Sequence, residues 1–155
     1  MGIKEKLIED MKKAMKAREA GRVRLSVIRL VRAAIRNAEI AQMKEMDDEG
    51  VIQVLSREMR QRRDAIAEYR RLGREDAVED IEKEISVLKE YMPEQMPAEE
   101  IGAMVREIIA QVGAKGPADT GKVMGLIMPR VRGRADGSLV SATVKSLLED
   151  MRVDT

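Results

Sequence analysis

Hydrophobic residues recur along this chain at intervals of three and four positions, the spacing that places them on one face of an α-helix. The first such stripe consists of Ile3, Leu7, Met11 and Met15. No stretch shows the alternation with a period of two that is typical of a half-buried strand. The pattern therefore predicts an all-α protein of seven helices. Their approximate bounds are 3–19, 22–43, 48–72, 75–91, 98–112, 118–131 and 137–151.

Glycine and proline indicate how these helices are grouped. Gly73 separates two long helices, which predicts an antiparallel helical hairpin. Pro93 and Pro97 bracket three residues, and proline disfavours helix at the residue before it. We therefore expect a domain boundary here. The sequence predicts a helical N-terminal domain of bundled hairpins, residues 1–95, and a compact three-helix C-terminal domain, residues 96–155.

The stretch 121–137 departs from this regular pattern, because it combines four glycines, four basic residues and one proline. Gly121 and Gly125 share one face of the sixth helix, although each glycine costs a helix about 1 kcal/mol relative to alanine. Such a smooth face predicts the close approach of another backbone. That backbone is either a neighbouring helix, which we favour, or a nucleic-acid strand.

The same stretch ends in a basic loop that offers a candidate anion site. Three arginines alternate around a glycine that permits tight backbone geometry, and Asp136 is the predicted N-cap of the last helix. Nucleic-acid phosphates could bind the arginines and the helix N-terminus. Alternatively, Asp136 already caps that helix and the arginines hold the corner by binding carbonyls or carboxylates. The residues concerned are Lys122, Arg130, Arg132, Arg134, Gly133 and Gly137.

Composition excludes several kinds of site. The chain has no cysteine and no histidine, which removes thiolate nucleophiles, the commonest general base and the commonest metal ligand. Glycine-rich loops that bind nucleotide phosphates follow a β-strand, and no strand is predicted before the glycines of this chain. We therefore expect no catalytic residue, metal or cofactor. No apolar run approaches ~20 residues and the N-terminus lacks a signal-peptide core, so we expect no membrane span and a cytoplasmic location.

Charge is distributed unevenly, although the net charge is only +1. Lysine and arginine exceed aspartate and glutamate in residues 1–40, acidic residues dominate 41–100, and a small basic excess follows. The basic ends could meet an anionic partner, or the blocks could attract each other as the helices pack. On the second helix, a ridge of arginines could bind phosphates, pair with the acidic middle or be solvated. Its members are Arg22, Arg29, Arg32 and Arg36.

Several short motifs resemble those of the YqeY family, and together they extend over nearly the whole chain. The most specific lie in the glycine-rich stretch: GKVMG at 121–125, MP at 128–129 and GRADG at 133–137. The others are LSVIR at 25–29, QRRDAI at 61–66 and LKEYMP at 88–93.

This resemblance implies a fold and a function. The family is similar in fold to the tail domain of GatB, a helical appendage of tRNA-dependent amidotransferases that contacts tRNA. The resemblance implies a non-catalytic accessory module, with tRNA and amidotransferase subunits as partners. Carbon–nitrogen ligase activity with glutamine as amido donor is a family-level association. It fits only a larger complex, because this chain lacks the catalytic cradle and the amidase residues.

A protein–protein adaptor is the alternative to an RNA-binding module. Such an adaptor would use exposed, methionine-rich helix faces, since flexible methionine side chains adapt to different partners. The methionines concerned are Met92, Met96, Met104, Met124 and Met128. Alternatively, they pack in the hydrophobic core, which we favour for most of them. The sequence does not determine the oligomeric state.

Overall fold

The computed structural model describes the backbone of residues 1–153 and the side chains of residues 1–151. The last two residues of the predicted C-terminal domain lie outside this part. Within it the chain forms seven α-helices, two short 3-10 helices and no strand, which confirms the all-α prediction. The helices are α1 (Ile3–Lys16), α2 (Arg22–Gln42), α3 (Asp48–Arg71), α4 (Glu75–Lys89), α5 (Ala98–Val112), α6 (Thr120–Val131) and α7 (Gly137–Val153).

Two compact units make up the structure, Met1–Met92 and a second unit that begins at Pro93. In the first unit, α3 and α4 form a hairpin that turns at Gly73, whose φ of 74° is readily available only to glycine. Helices α1 and α2 pack beside each other in the same unit. Their shared core is aliphatic. Its most deeply buried members are Leu7, Val27, Ile28, Val31, Val51, Leu55 and Leu88.

The first helix ends earlier than the sequence predicts. It stops at Lys16, and a 3-10 turn over Arg18–Gly21 leads directly into α2. Gly21 is buried there, and a Cβ atom at this position would lie 2.2 Å from the backbone oxygen of Ala14. Because no side chain fits in that space, the close backbone approach between α1 and the turn depends on glycine.

The second unit is a three-helix arrangement in which α5, α6 and α7 each pack against the other two. Every helix contributes a buried stripe at helical spacing. The stripe residues are Ile101, Val105 and Ile108 on α5, Val123, Ile127 and Val131 on α6, and Val140, Val144 and Leu148 on α7. The buried face of α6 is therefore its valine and isoleucine stripe.

The five methionines assigned to an adaptor surface face hydrophobic cores instead. Met96 is only 5% exposed, and Met104, Met124 and Met128 pack against the core of the second unit. Met92 packs against the core of the first. These positions agree with core packing, which the sequence favours for most of the five methionines. The physical reason is that methionine fills irregular gaps in a core that has almost no aromatic side chains.

Candidate functional site

A tight corner joins α6 to α7. The helix runs through Pro129 and ends at Val131, whose carbonyl accepts hydrogen bonds from the backbone N–H groups of Arg134 and Ala135 at 2.8 and 3.0 Å. Gly133, within the turn between Val131 and Arg134, has a φ of 78°, in the left-handed region where a Cβ atom is unfavourable. The corner therefore needs glycine at position 133 for its backbone conformation.

The segment before α5 holds this corner in place. The backbone N–H of Met96 donates to the carbonyl of Arg134 at 2.9 Å, and the side-chain amide of Gln95 donates to the carbonyl of Gly133 at 3.0 Å. Arg134 reaches back in turn, since its Nε lies 3.4 Å from the carbonyl oxygen of Glu94. Arg134, which is half-buried, thus contacts the fold itself.

The N-terminus of α7 already has an acidic residue beside it. Oδ1 of Asp136 accepts a hydrogen bond from the backbone N–H of Ser138 at 3.2 Å, and its carbonyl accepts one from Val140 at 3.1 Å. A carboxylate in this position satisfies the helix N-terminus and repels an incoming phosphate. An external anion therefore has little to gain at the start of α7.

The other three cations are differently placed. Lys122, Arg130 and Arg132 are exposed, and none of them forms an ion pair or hydrogen bond within the part of the chain that the structure describes. Lys122 and Arg130 are eight residues apart on α6, which corresponds to about 12 Å along the helix axis. They provide unpaired positive charge on the solvent side of the second unit.

The two glycines of α6 lie on this exposed side. A Cβ atom added to Gly121 or Gly125 would meet no atom of another described element within 4 Å. The prediction that a neighbouring helix of the chain packs closely against them is therefore wrong. The physical reason is that the opposite, aliphatic face of α6 is the one that packs against α5 and α7. A Cβ atom added to Gly137 would lie 3.8 Å from Cε of Met128, an ordinary contact distance.

The exposed face of α6 thus combines a smooth backbone with flanking charge. At 100° per residue, Gly121, Gly125 and Pro129 fall beside Lys122 and Arg130 on one side of the helix. Leu126, which is 47% exposed, is the one large apolar side chain among them. We call these six residues the α6 face.

Among the described residues, no group of three or more acidic, histidine or cysteine side chains is arranged to hold a metal ion. None of the helices in that part of the chain is long and apolar enough to cross a membrane.

Comparison with known proteins identifies the family. Residues 4–148 match the model of the Yqey-like protein family. The chain belongs to the YqeY family. The match spans both units, so this membership applies to the α1–α4 region as well as to the α6 face.

Relatives of this YqeY-family chain include fungal proteins named altered inheritance of mitochondria protein 41, mitochondrial. The one from Lachancea thermotolerans is 34% identical over 116 residues, which is 72% of this chain and 60% of that protein. The one from Pyrenophora tritici-repentis is 27% identical over 146 residues, 92% of this chain and 79% of that protein. The chain thus spans about three fifths of the first of these relatives.

A further relative is named for an enzyme. It is a glutamyl-tRNA(Gln) amidotransferase component from Thermococcus gammatolerans, and it is 32% identical over 89 residues. The aligned segment is 49% of this chain but only 14% of that protein. This YqeY-family chain is therefore similar to a small part of an amidotransferase component.

Proposed function

We propose that this YqeY-family protein is a non-catalytic accessory module that binds tRNA phosphates through the α6 face and Arg132. The observation that carries the proposal is the exposure of three cations, Lys122, Arg130 and Arg132, without an intramolecular partner. The similarity to a segment of a glutamyl-tRNA(Gln) amidotransferase component supports tRNA as the ligand.

Each part of the α6 face has a role in this proposal. The cations neutralise phosphates, and Gly121 and Gly125 let a ribose-phosphate backbone approach the helix without meeting side chains. Arg134 and Asp136 are not ligands here, because they contact the chain itself. The proposed interface is therefore smaller than the loop that the sequence predicts.

Phosphate contacts of this kind make binding sensitive to salt and largely independent of sequence. Neutralising about three phosphates corresponds to a slope of about −2 to −3 in a plot of log K against log salt concentration. The bases contribute little, since the α6 face has no aromatic side chain on which a base could stack.

The decisive experiment is a filter-binding titration with tRNA at about 50 and about 200 mM salt. The triple variant Lys122→Ala, Arg130→Ala, Arg132→Ala should bind more weakly and show a flatter salt dependence. The triple variant Arg57→Ala, Arg60→Ala, Lys83→Ala, which removes three exposed cations from α3 and α4, is the matched control and should change binding little. Absence of binding at low salt, or an equal loss in the control, would refute the proposal.

Amidotransferase subunits are the proposed protein partners, by the same similarity. A pull-down with such subunits, repeated after RNase treatment, tests whether the association depends on RNA. A cytoplasmic location belongs to this proposal too, whereas the names of the fungal relatives refer to mitochondria. Fractionation of cells that express the natural protein distinguishes the two compartments.

A further inference from the structure

A groove of about 430 Å³ lies between α1 and α2 in the first unit. Its floor is aliphatic, with Leu7 and Ile35 buried at the bottom and Ile8, 36% exposed, at the surface. One turn beyond the groove along α2, Ile40 is 67% exposed and continues the same helix face. Ala33 of α2 and five charged side chains of α1 and α2 complete the lining.

Positive charge surrounds this apolar floor. Arg29, Arg32 and Arg36 are exposed, and no carboxylate pairs with any of them in the described part of the chain. The remaining two charges compensate each other, because Lys4 Nζ lies 2.7 Å from Glu39 Oε2. The groove therefore carries about three uncompensated positive charges beside exposed aliphatic carbon.

The arginines are spaced in a way that fits another helix. Positions 29, 32 and 36 are separated by three and four residues and extend over about 10 Å of helix axis. Carboxylates at positions i, i+3 or i+4, and i+7 of a partner helix cover the same distance. The apolar residues between those carboxylates would then lie on the floor formed by Ile8, Ala33 and Ile35.

We propose that this α1–α2 groove binds an acidic amphipathic helix of a protein partner. The apolar face of that helix covers Ile8 and Ala33, and its carboxylates pair with Arg29, Arg32 and Arg36. This is the mode in which an amphipathic helix lies in a hydrophobic groove, with complementary charge selecting the partner. The site lies in the first unit and shares no residue with the α6 face, so it does not depend on the proposed tRNA binding.

The floor of the groove favours a protein helix over RNA. Single-stranded RNA usually gains affinity from bases stacked on aromatic rings, and no aromatic side chain lines this groove. A purely phosphate-directed site would gain nothing from exposed aliphatic carbon. A helix with leucines on one face buries that carbon and gains free energy by removing it from water.

The test uses the full chain and four probes. The first is a labelled helical peptide of about 20 residues, long enough to form a helix, with leucines on one face and glutamates at the spacing above. The second replaces its glutamates by glutamine, the third replaces its leucines by alanine, and the fourth is tRNA. Fluorescence anisotropy measures the affinity of each probe.

We expect the acidic amphipathic peptide to bind at least about tenfold more tightly than the glutamine or alanine peptide. Arg32→Glu with Arg36→Glu should weaken that binding by about tenfold or more and should create affinity for a peptide with lysines in place of glutamates. Binding of the lysine peptide by this variant would also show that the variant is folded. Arg57→Glu with Arg60→Glu on α3 is the matched control and should leave binding unchanged.

Three results would overturn the inference. The first is the absence of saturable binding by the acidic peptide at low salt, and the second is equal binding by all three peptides. The third is tRNA binding that Arg32→Glu with Arg36→Glu abolishes while the peptide fails to bind, since the groove is then a phosphate site. As a second readout on the unchanged protein, amide NMR shifts on addition of the peptide must map to α1 and α2. The α6 variants test tRNA binding separately, so either proposal can fail alone.

Discussion

The hydroxyl of Tyr91 donates a hydrogen bond of 2.5 Å to Oδ2 of Asp10, joining the chain just beyond α4 to α1. Tyr91 is 6% exposed, and the ammonium group of Lys6 lies 5.5 Å from the centre of its ring. Burial, together with the hydrogen bond to Asp10, raises the pKa of Tyr91. The hydroxyl therefore stays protonated at physiological pH and can donate to Asp10, which ties the residue after α4 to α1.

Replacing Tyr91 with phenylalanine should lower the free energy of unfolding by about 1–2 kcal/mol, because a hydrogen bond to a charged group is lost in a poorly solvated place. Urea unfolding followed by far-UV circular dichroism measures the change. Tyr69→Phe is the matched control, since the Tyr69 hydroxyl forms no hydrogen bond with any described residue. It should leave the free energy of unfolding nearly unchanged. Equal losses in the two variants would contradict this account of Tyr91.

The backbone conformation of Gly133 should make any side chain at this position destabilising. Gly133→Ala should lower the free energy of unfolding by about 1–2 kcal/mol, because an L-residue is unfavourable in the left-handed conformation that this position adopts. Thermal unfolding measures the loss. Gly133→Asn should lose less, since asparagine tolerates this conformation better than alanine. A Gly133→Ala protein as stable as the wild type would contradict the role of the backbone.

Alanine in place of the α6 glycines should stabilise the protein, whereas alanine at position 133 should destabilise it. Gly121→Ala and Gly125→Ala should each raise the free energy of unfolding by about 0.5–1 kcal/mol, because alanine is the better helix former and the added Cβ meets no neighbour. If the tRNA proposal is correct, the same variants should bind tRNA more weakly. Destabilisation by either alanine would show that a close neighbour is present after all.

The Glu39 carboxylate predicts a dependence of stability on pH. Hydrogen bonds from Lys4 and from the backbone N–H of Met46 lower its pKa in the folded protein. A lowered pKa means that the ionised Glu39 side chain stabilises the folded protein. This stabilisation is complete above the unfolded-state pKa of about 4.3 and is lost as the pH falls through the lower folded-state pKa. Between about pH 5 and pH 3 the wild type should therefore lose more unfolding free energy than Glu39→Gln.

Urea titrations of both proteins across this pH range give the unfolding free energy at each pH, and the slopes of the two plots against pH are compared. Glu79→Gln serves as the control, because the Glu79 side chain on α4 is exposed and forms no hydrogen bond or ion pair with any described residue. It should follow the wild type. Parallel curves for the wild type and Glu39→Gln would mean that the contact with Lys4 does not contribute.

Periodicity alone predicted the number and type of helices, because each one carries an apolar stripe that has to be buried. The bounds of α5 agree with the sequence prediction, and each of the other helices differs by one to three residues at one end. The early end of α1 was missed because the helix is interrupted at Arg18, whose φ of 54° lies in the left-handed region. Arginine rarely adopts this conformation, so the residue type at position 18 does not indicate it.

The sequence located the basic corner but could not assign its residues to roles. Arg130, Arg132 and Arg134 look equivalent in a pattern of alternating arginines, yet only Arg134 lies beside a carbonyl of the segment before α5. Gly121 and Gly125 were correctly placed on one face, but the direction of that face depends on how three helices pack. The α1–α2 groove escaped detection for the same reason, because its lining comes from two helices.

The hydrogen bonds from Gln95 and Met96 to the corner have a consequence for dissecting the protein into pieces. The residues between Pro93 and Pro97 resemble a dispensable linker, but they supply donors that the carbonyls of Gly133 and Arg134 use. A fragment cut at Ala98 would leave those carbonyls without their partners, whereas one cut at Pro93 would keep them. The shortest fragment that keeps the hydrogen bonds of the three-helix unit therefore begins at Pro93.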